Sequence, residues 1–360
     1  MGWPAASGGT IASVAEGRTT LRGATADVVV DGEPVRALVD TAGDTLAITQ
    51  ELADRLGLAV HETHEQQGDV FTIRDAPEIE VGGYRLDTDG LAAVGFDDVG
   101  PVGLAAAGAD LAIPAAVLRR HHVVLDLPGG ELVVGDPGTI ERRGVAVAAS
   151  VADVPVVAVE VDGRTLDLVV DVSLPVCLAV DRVMAGWPPT WSRSGAAVGP
   201  GNVIGSPVEA RVPMVRVPEV QVGRFTVPQV AFAWRGDGDL GGADGAIGRN
   251  LLGVFRVDID WRAGSVRLEQ TRGFLDPDTD MVGVVLARLG GAWVVSATVT
   301  GLDEVRAGDE LVAVGGEPVA GLRLPDVLDL LRGEPGERRH LAVRRDADLL
   351  EVDAPVQRVF

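Results

Sequence analysis

A chain of 360 residues, 46% of them hydrophobic, is long enough for two or three domains with sizeable cores. Its formal charge of −22 argues against nucleic acid or an anionic membrane as partner, and all 31 basic residues are Arg, which excludes a P-loop lysine, a Schiff-base lysine and a Ser-Lys dyad. The 47 Gly and 21 Pro predict many short strands and turns, the single Cys177 cannot close an internal disulfide, and no window of 18 apolar residues predicts a membrane span.

Residues 1–20 hold one Arg, several Gly and Ser, and no apolar run of signal-peptide length; they read as a loose extension, with the cytoplasm as the default compartment. Residues 28–30 and 35–39 flank Asp31-Gly32-Glu33-Pro34 as a β-hairpin. The second strand ends at Asp40. Thr41, Ala42 and Gly43 turn the chain into a second apolar run, 46–48, and then a short helix from about 49 to 56, with Thr49 as N-cap and Gly57 as stop. The polar run 61–69 is expected as a surface loop, 70–105 as β meanders, and 121–125 with 131–134 as a closing hairpin about Pro128-Gly129-Gly130. Residues 139–150 read as a linker.

The chain then repeats itself. Asp31-Gly32 precedes Asp40 by nine residues (40 − 31), and Asp162-Gly163 precedes Asp171 by nine (171 − 162). Pro77-Glu78-Ile79-Glu80-Val81-Gly82 is echoed by Pro218-Glu219-Val220-Gln221-Val222-Gly223. Gly108-Ala109-Asp110 leads to Asp126 over eighteen residues, as Gly242-Ala243-Asp244 leads to Asp260. Three matched blocks in one order predict an internal duplication, the second copy carrying a longer irregular excursion over 186–206. Residues 271–278 read as a further linker.

Asp40-Thr41-Ala42-Gly43, held between apolar runs, resembles the Asp-Thr-Gly-Ala loop of the pepsin and retropepsin aspartic peptidases. The resemblance implies a mainly β, bilobal fold with lobes over 21–138 and 151–270, Asp40 and Asp171 as catalytic pair, and loop support from Thr41, Ala42, Gly43, Val172, Ser173 and Gly248. Two carboxylates about 3 Å apart at an effective dielectric of about 20 repel by roughly 5 kcal/mol, so they share a proton over a broad pH range. One can then activate water while the other polarises a carbonyl. Three departures stand against the pattern. Ala42 replaces a Gly; Asp171-Val172-Ser173 lacks the threonine hydroxyl; and the supporting element Ala246-Ile247-Gly248 reads Ala112-Ile113-Pro114 in the first copy.

From about 279 onward, the run Ala307-Gly308-Asp309 to Val319 resembles a shortened core of bacterial PDZ domains, small α+β peptide-binding modules. The resemblance makes Met281, Val282, Gly283 and Val284 a carboxylate-binding loop, with Val327, Leu328 and Leu331 on a helix walling the groove, where a peptide would add as a strand. The expected activity is an intracellular aspartic endopeptidase acting on a peptide or protein, with no cofactor or metal; the alternative is a catalytically degenerate peptide-binding protein on the same scaffold. His61-x-x-His64 is not in the zinc-peptidase order, and Gly236-Asp237-Gly238-Asp239-Leu240-Gly241 lacks a βαβ frame. Cys177, in an apolar run, reads as a packed thiol.

Overall fold

The computed structural model describes residues 15–66, 69–96, 104–191, 193–197, 211–234, 240–273, 280–289, 291–298, 302, 304–322 and 324–358. Residues 1–14 of the expected extension, 274–278 of the second expected linker and most of 192–206 lie outside the described residues.

The protein is mainly β. Its first half runs β1 (Glu16–Arg22), β2 (Thr25–Val30), β3 (Glu33–Asp40), β4 (Leu46–Thr49), α1 (Gln50–Arg55), β5 (Val60–Gln66), β6 (Asp69–Asp75), β7 (Ile79–Val81), β8 (Tyr84–Arg85), β9 (Ala92–Phe96), α2 (Leu104–Ala107), β10 (Leu111–Pro114), α3 (Ala115–Leu118), β11 (His122–Asp126) and β12 (Glu131–Gly135). The second runs β13 (Val145–Val147), β14 (Ala149–Val151), β15 (Pro155–Val161), β16 (Arg164–Val170), β17 (Cys177–Ala179), α4 (Asp181–Met184), β18 (Arg193–Ala197), β19 (Arg211–Val222), β20 (Phe225–Trp234), β21 (Gly245–Ile247), α5 (Arg249–Leu252), β22 (Phe255–Asp260) and β23 (Ser265–Gln270). Beyond it lie β24 (Asp280–Val282), β25 (Val284–Leu289), β26 (Ala292–Thr298), β27 (Glu310–Val314), β28 (Glu317–Pro318), α6 (Leu324–Leu331), β29 (Arg338–Arg345) and β30 (Asp348–Arg358).

Strand order in the first half is β1-β2-β3-β10-β4-β9-β6-β5, and in the second β14-β15-β16-β21-β17-β20-β19-β18. The two orders correspond position by position. In each half the strand before the aspartate, β3 or β16, pairs in parallel with a strand from much later in sequence, β10 or β21, which also pairs antiparallel with the strand after the aspartate loop. The matched turns share their geometry too. Asp31 and Gly32 have φ of 47° and 83°, Asp162 and Gly163 have 50° and 71°, and two consecutive left-handed residues are what a two-residue hairpin needs to match strand twist. The helix α1 starts where Thr49 Oγ1 accepts the Leu52 amide and ends before Gly57 at φ 70°.

The halves are joined by a shared sheet, β13-β23-β22-β11-β12-β1, with β11 and β22 paired antiparallel at its middle. One apolar cluster runs through both halves, taking Val39, Ile48 and Ile113 from the first and Val170, Val172 and Ile247 from the second. The C-terminal sheet has its own cluster, built around Val295, Leu311, Val327, Leu331, Leu341 and Val343.

Three expectations are corrected. Residues 16–20 are not loose: β1 pairs with β12 and with β2, because the edge of the closing hairpin supplies partners that local composition does not reveal. Residues 139–150 are not a plain linker. Ile140 is buried with Val124 and Val133, Arg142 donates to the buried carboxylate of Asp260, and β13 and β14 extend both sheets. Within the expected loop 61–69, residues 61–66 are strand, since β5 pairs with β6, and they read as loop because the side chains of 61–65 are exposed.

β1 crosses the β7–β8 hairpin so closely that a Cβ at Gly17 would lie 1.6 Å from the Val81 carbonyl oxygen, and one at Gly82 would lie 2.2 Å from that of Arg18. Backbone cannot yield to a methyl group as a flexible side chain can. Gly17→Ala is therefore expected to lower stability by about 2–3 kcal/mol, read as a fall in the denaturant midpoint, and a midpoint at the wild-type value would show that β1 does not need this approach.

Candidate active site

Asp40 is the last residue of β3 and is almost fully buried. Its Oδ1 accepts the amides of Ala42 at 3.1 Å and Gly43 at 2.8 Å. The Ala in place of a Gly thus keeps its donor, and the glycine requirement falls one residue later: a Cβ on Gly43 would sit 2.3 Å from Asp40 Oδ2. Asp171 follows β16, and its amide donates to the Ile247 carbonyl at 3.0 Å. Asp171 Oδ1 accepts from the Ser173 amide at 2.8 Å and the Ser173 hydroxyl at 2.6 Å. Ser173 is thus a donor to the carboxylate through both its backbone and its side chain.

The two loops meet through Thr41. Its fully buried hydroxyl donates to the Val170 carbonyl at 2.6 Å and accepts the Val172 amide at 3.2 Å, bonds that span the two halves of the chain. Val172, equally buried, has no hydroxyl to return them, so this side-chain link is made from one side only.

The supporting strands differ in a way their sequences explain. At Gly248 a Cβ would meet the Val176 backbone at 2.5 Å, so only glycine fits. At Pro114 the backbone φ is −81°, within proline's fixed range. Two residues beyond Gly248 were not singled out by sequence. The Arg249 guanidinium donates to the carbonyls of Val172 and Ser173, both at 2.7 Å, bracing the second loop from behind; burial holds its pKa down at about 10. Asn250 accepts from the Cys177 amide and donates to the Ala231 carbonyl. The signal for both was their place directly after Ala246-Ile247-Gly248. The Cys177 thiol is buried there, its pKa pushed up to about 12.

Burial raises the pKa of both carboxyl groups. Asp40 lies above its ordinary value through desolvation, offset by the amides of Ala42 and Gly43. Asp171 is raised to about 7 by desolvation and then by the charge of Asp40, with Ser173 pulling the other way. Each carboxyl group therefore keeps its proton to higher pH than an exposed aspartate does, Asp171 to about 7.

His121 and His122 are buried as well and are structural. The Asp87 amide donates to His121 Nε2, so Nδ1 carries the proton and donates to the Tyr84 oxygen, while Tyr84 donates to Asp136. His122 pairs with Asp258 at 2.9 Å inside the shared sheet. His61 pairs with Asp75 and His64 with Glu62 on the exposed face of the β5–β6 hairpin.

In the C-terminal part, Met281 and Val282 belong to β24, paired with Gln357 and Val356 of β30, and Gly283 separates β24 from β25. Val282, Val327 and Leu331 are fully buried within the cluster of that sheet, so their expected place on an open groove is corrected to core packing; Met281 and Leu328 stay partly exposed, and Val284 is buried at the start of β25. Helix α6 lays its apolar face inward, Asp329 outward, which is why a periodic pattern alone did not separate wall from core.

Residues 26–87 match the family model described as aspartyl protease, and residues 302–345 match the one described as PDZ domain. No curated protein matches the chain. The protein thus carries a retropepsin-like aspartyl protease domain toward its N-terminus and a PDZ domain toward its C-terminus, a protease-type fold combined with a peptide-binding domain. The first match contains Asp40 and its loop; Asp171 lies beyond it. No helix among the described residues is long and apolar enough to cross a membrane.

A carboxyl group with a raised folded pKa contributes stability that is fully present below its ordinary value of 3.8 and is lost as pH rises through about 7. Folding stability should therefore fall between pH 5 and 8 in the native chain, by on the order of 2–4 kcal/mol, and fall less in Asp171→Asn. Denaturant titrations at the two pH values check this, and parallel losses in both proteins would contradict the assignment. Ser173→Ala removes a donor to the ionised form, so the Asp171 carboxyl resonance should titrate at higher pH than in the native chain.

Proposed function

We propose that the protein is an aspartic endopeptidase in which Asp40 and Asp171 form the catalytic pair. Its two halves, about 21–138 and 151–270, would be bilobal copies from an internal duplication, followed by the PDZ domain from about 279. The observation that carries the reading is Thr41: its hydroxyl bonds the residues on both sides of Asp171, and both aspartates are buried with raised pKa values, which supports a pair that shares a proton. The matching strand orders and the paired Asp-Gly turns support the duplication.

In this reading an extended peptide lies between the halves. The ionised carboxylate takes a proton from water as it attacks the scissile carbonyl, and the protonated partner donates to the developing oxyanion. The proton taken from water then passes to the leaving amine, so no covalent intermediate forms. Only the singly protonated pair works, so activity is lost as pH rises through about 7, the value to which Asp171 is raised. The working compartment is the cytoplasm, whose pH lies on the edge of this range, and a charge of −22 keeps nucleic acid from being a partner.

A second reading, a catalytically silent peptide-binding protein on the same scaffold, is favoured by Val172, where the reciprocal hydroxyl is missing. The deciding experiment uses purified protein and a denatured protein substrate. Asp40→Asn and Asp171→Asn should each abolish cleavage, by at least a thousandfold, with folding intact; cleavage retained by either variant would overturn the Asp40–Asp171 mechanism, and none by the native chain across pH 4–8 would favour the second reading.

A further inference from the structure

The edge strand β25 and the helix α6 are the two sides of the C-terminal domain between which an extended peptide would add. β25 ends the strand order β24-β30-β29-β27-β26-β25, so among the described residues no strand pairs with its outer edge. That position is not empty. The one-turn helix α2, from the protease part, packs against both β25 and α6.

We propose that α2 is an internal plug in the PDZ groove, which a peptide must displace, and that displacement is felt at the strands carrying Asp40. The inference rests on the reading of the C-terminal domain as a peptide-capturing module. Two features make the plug removable. A single helical turn closes its own bond, the Ala109 amide donating to the Leu104 carbonyl at 3.0 Å, and so supplies β25 with no ladder of backbone hydrogen bonds. An extended peptide would supply that ladder and cover the same apolar surface, which favours it over α2 once present.

The link to the active site runs through the other side of α2. Leu104 is buried in a cluster with Leu38, Ala47 and Ala112, and Ala107 packs against it. Leu38 lies two residues before Asp40 on β3, and Ala112 is its register partner on β10. The segment that fills the groove is therefore anchored to the two strands that set the position of the Asp40 carboxylate. A peptide that pulls α2 from the groove changes the load on that anchor, and by reciprocity a substrate that tightens the Asp40 loop changes affinity in the groove.

The test uses the full chain with two variants. Ala105→Glu with Ala106→Glu changes the two positions of α2 between Leu104 and Ala107, and Leu328→Glu alters α6 should the first variant fold poorly. Hydrogen exchange is read at β25 and at the Ala109 amide, and affinity is read with a library of peptides bearing free C-terminal carboxylates. The plug predicts exchange at β25 at least tenfold faster in the double variant than in the native chain, and library peptides bound at least tenfold more tightly. For Leu328→Glu it predicts exchange of the Ala109 amide at least tenfold faster. Unchanged exchange in a folded variant overturns it. So does faster exchange with library peptides bound equally by the native chain and the double variant, because α2 would then not stand in their way. Faster exchange with no peptide bound by either protein would keep α2 as the occupant of the groove while sinking the peptide-capture reading on which its displacement depends.

Discussion

The Thr41 hydroxyl is the contact on which the geometry of this protein turns. A buried hydroxyl has one proton to give and lone pairs to fill, and here both functions are spent across the boundary between the halves, on Val170 and Val172. Replacing it with an apolar group would leave a carbonyl and an amide without partners inside a dry core, at roughly 1–3 kcal/mol each. Those two bonds tie the loop after Asp40 to the residues on either side of Asp171.

The halves answer the same demand with different chemistry. The first builds its aspartate loop from backbone amides and a glycine packed against the carboxylate, backed by a proline whose ring suits the local backbone. The second uses a serine hydroxyl in front and a buried arginine behind. The missing hydroxyl of Val172 is thus accompanied by bracing that the first half lacks, and the charge of Asp171 offsets part of the cost of burying Arg249. Halves with matching strand orders need not keep matching supports once each loop has its own way of filling the carboxylate's acceptor sites.

How much of this could be read from sequence follows from how local each feature is. The turns at Asp31-Gly32 and Asp162-Gly163 and the helix capped by Thr49 depend on a few neighbouring residues, and those were legible. The strands β1 and β13 exist because β12 and β23, more than a hundred residues away, offer edges to pair with, and composition carries no trace of that. β5 was misread because a strand wet on both faces loses the alternation that identifies strands. Arg249 is not legible because its role is set by the carbonyls of Val172 and Ser173, and the Ser173 hydroxyl bond to Asp171 is not legible because a motif records identity while the bond depends on reach.

The pairing of β11 with β22 also bears on how the chain is made. When the first half leaves the ribosome, β11 has β12 on one side and an open edge on the other. Its partner, residues 255–260, begins 129 residues after Asp126 (255 − 126), which at about 5–20 residues per second is a wait of roughly 6–26 s. Val123, Val124 and Leu125, all fully buried in the finished fold, line that edge meanwhile. A neighbouring nascent chain offers an identical edge, so crowded synthesis on one message sets β11–β11 pairing between copies against the correct β11–β22 pairing within one.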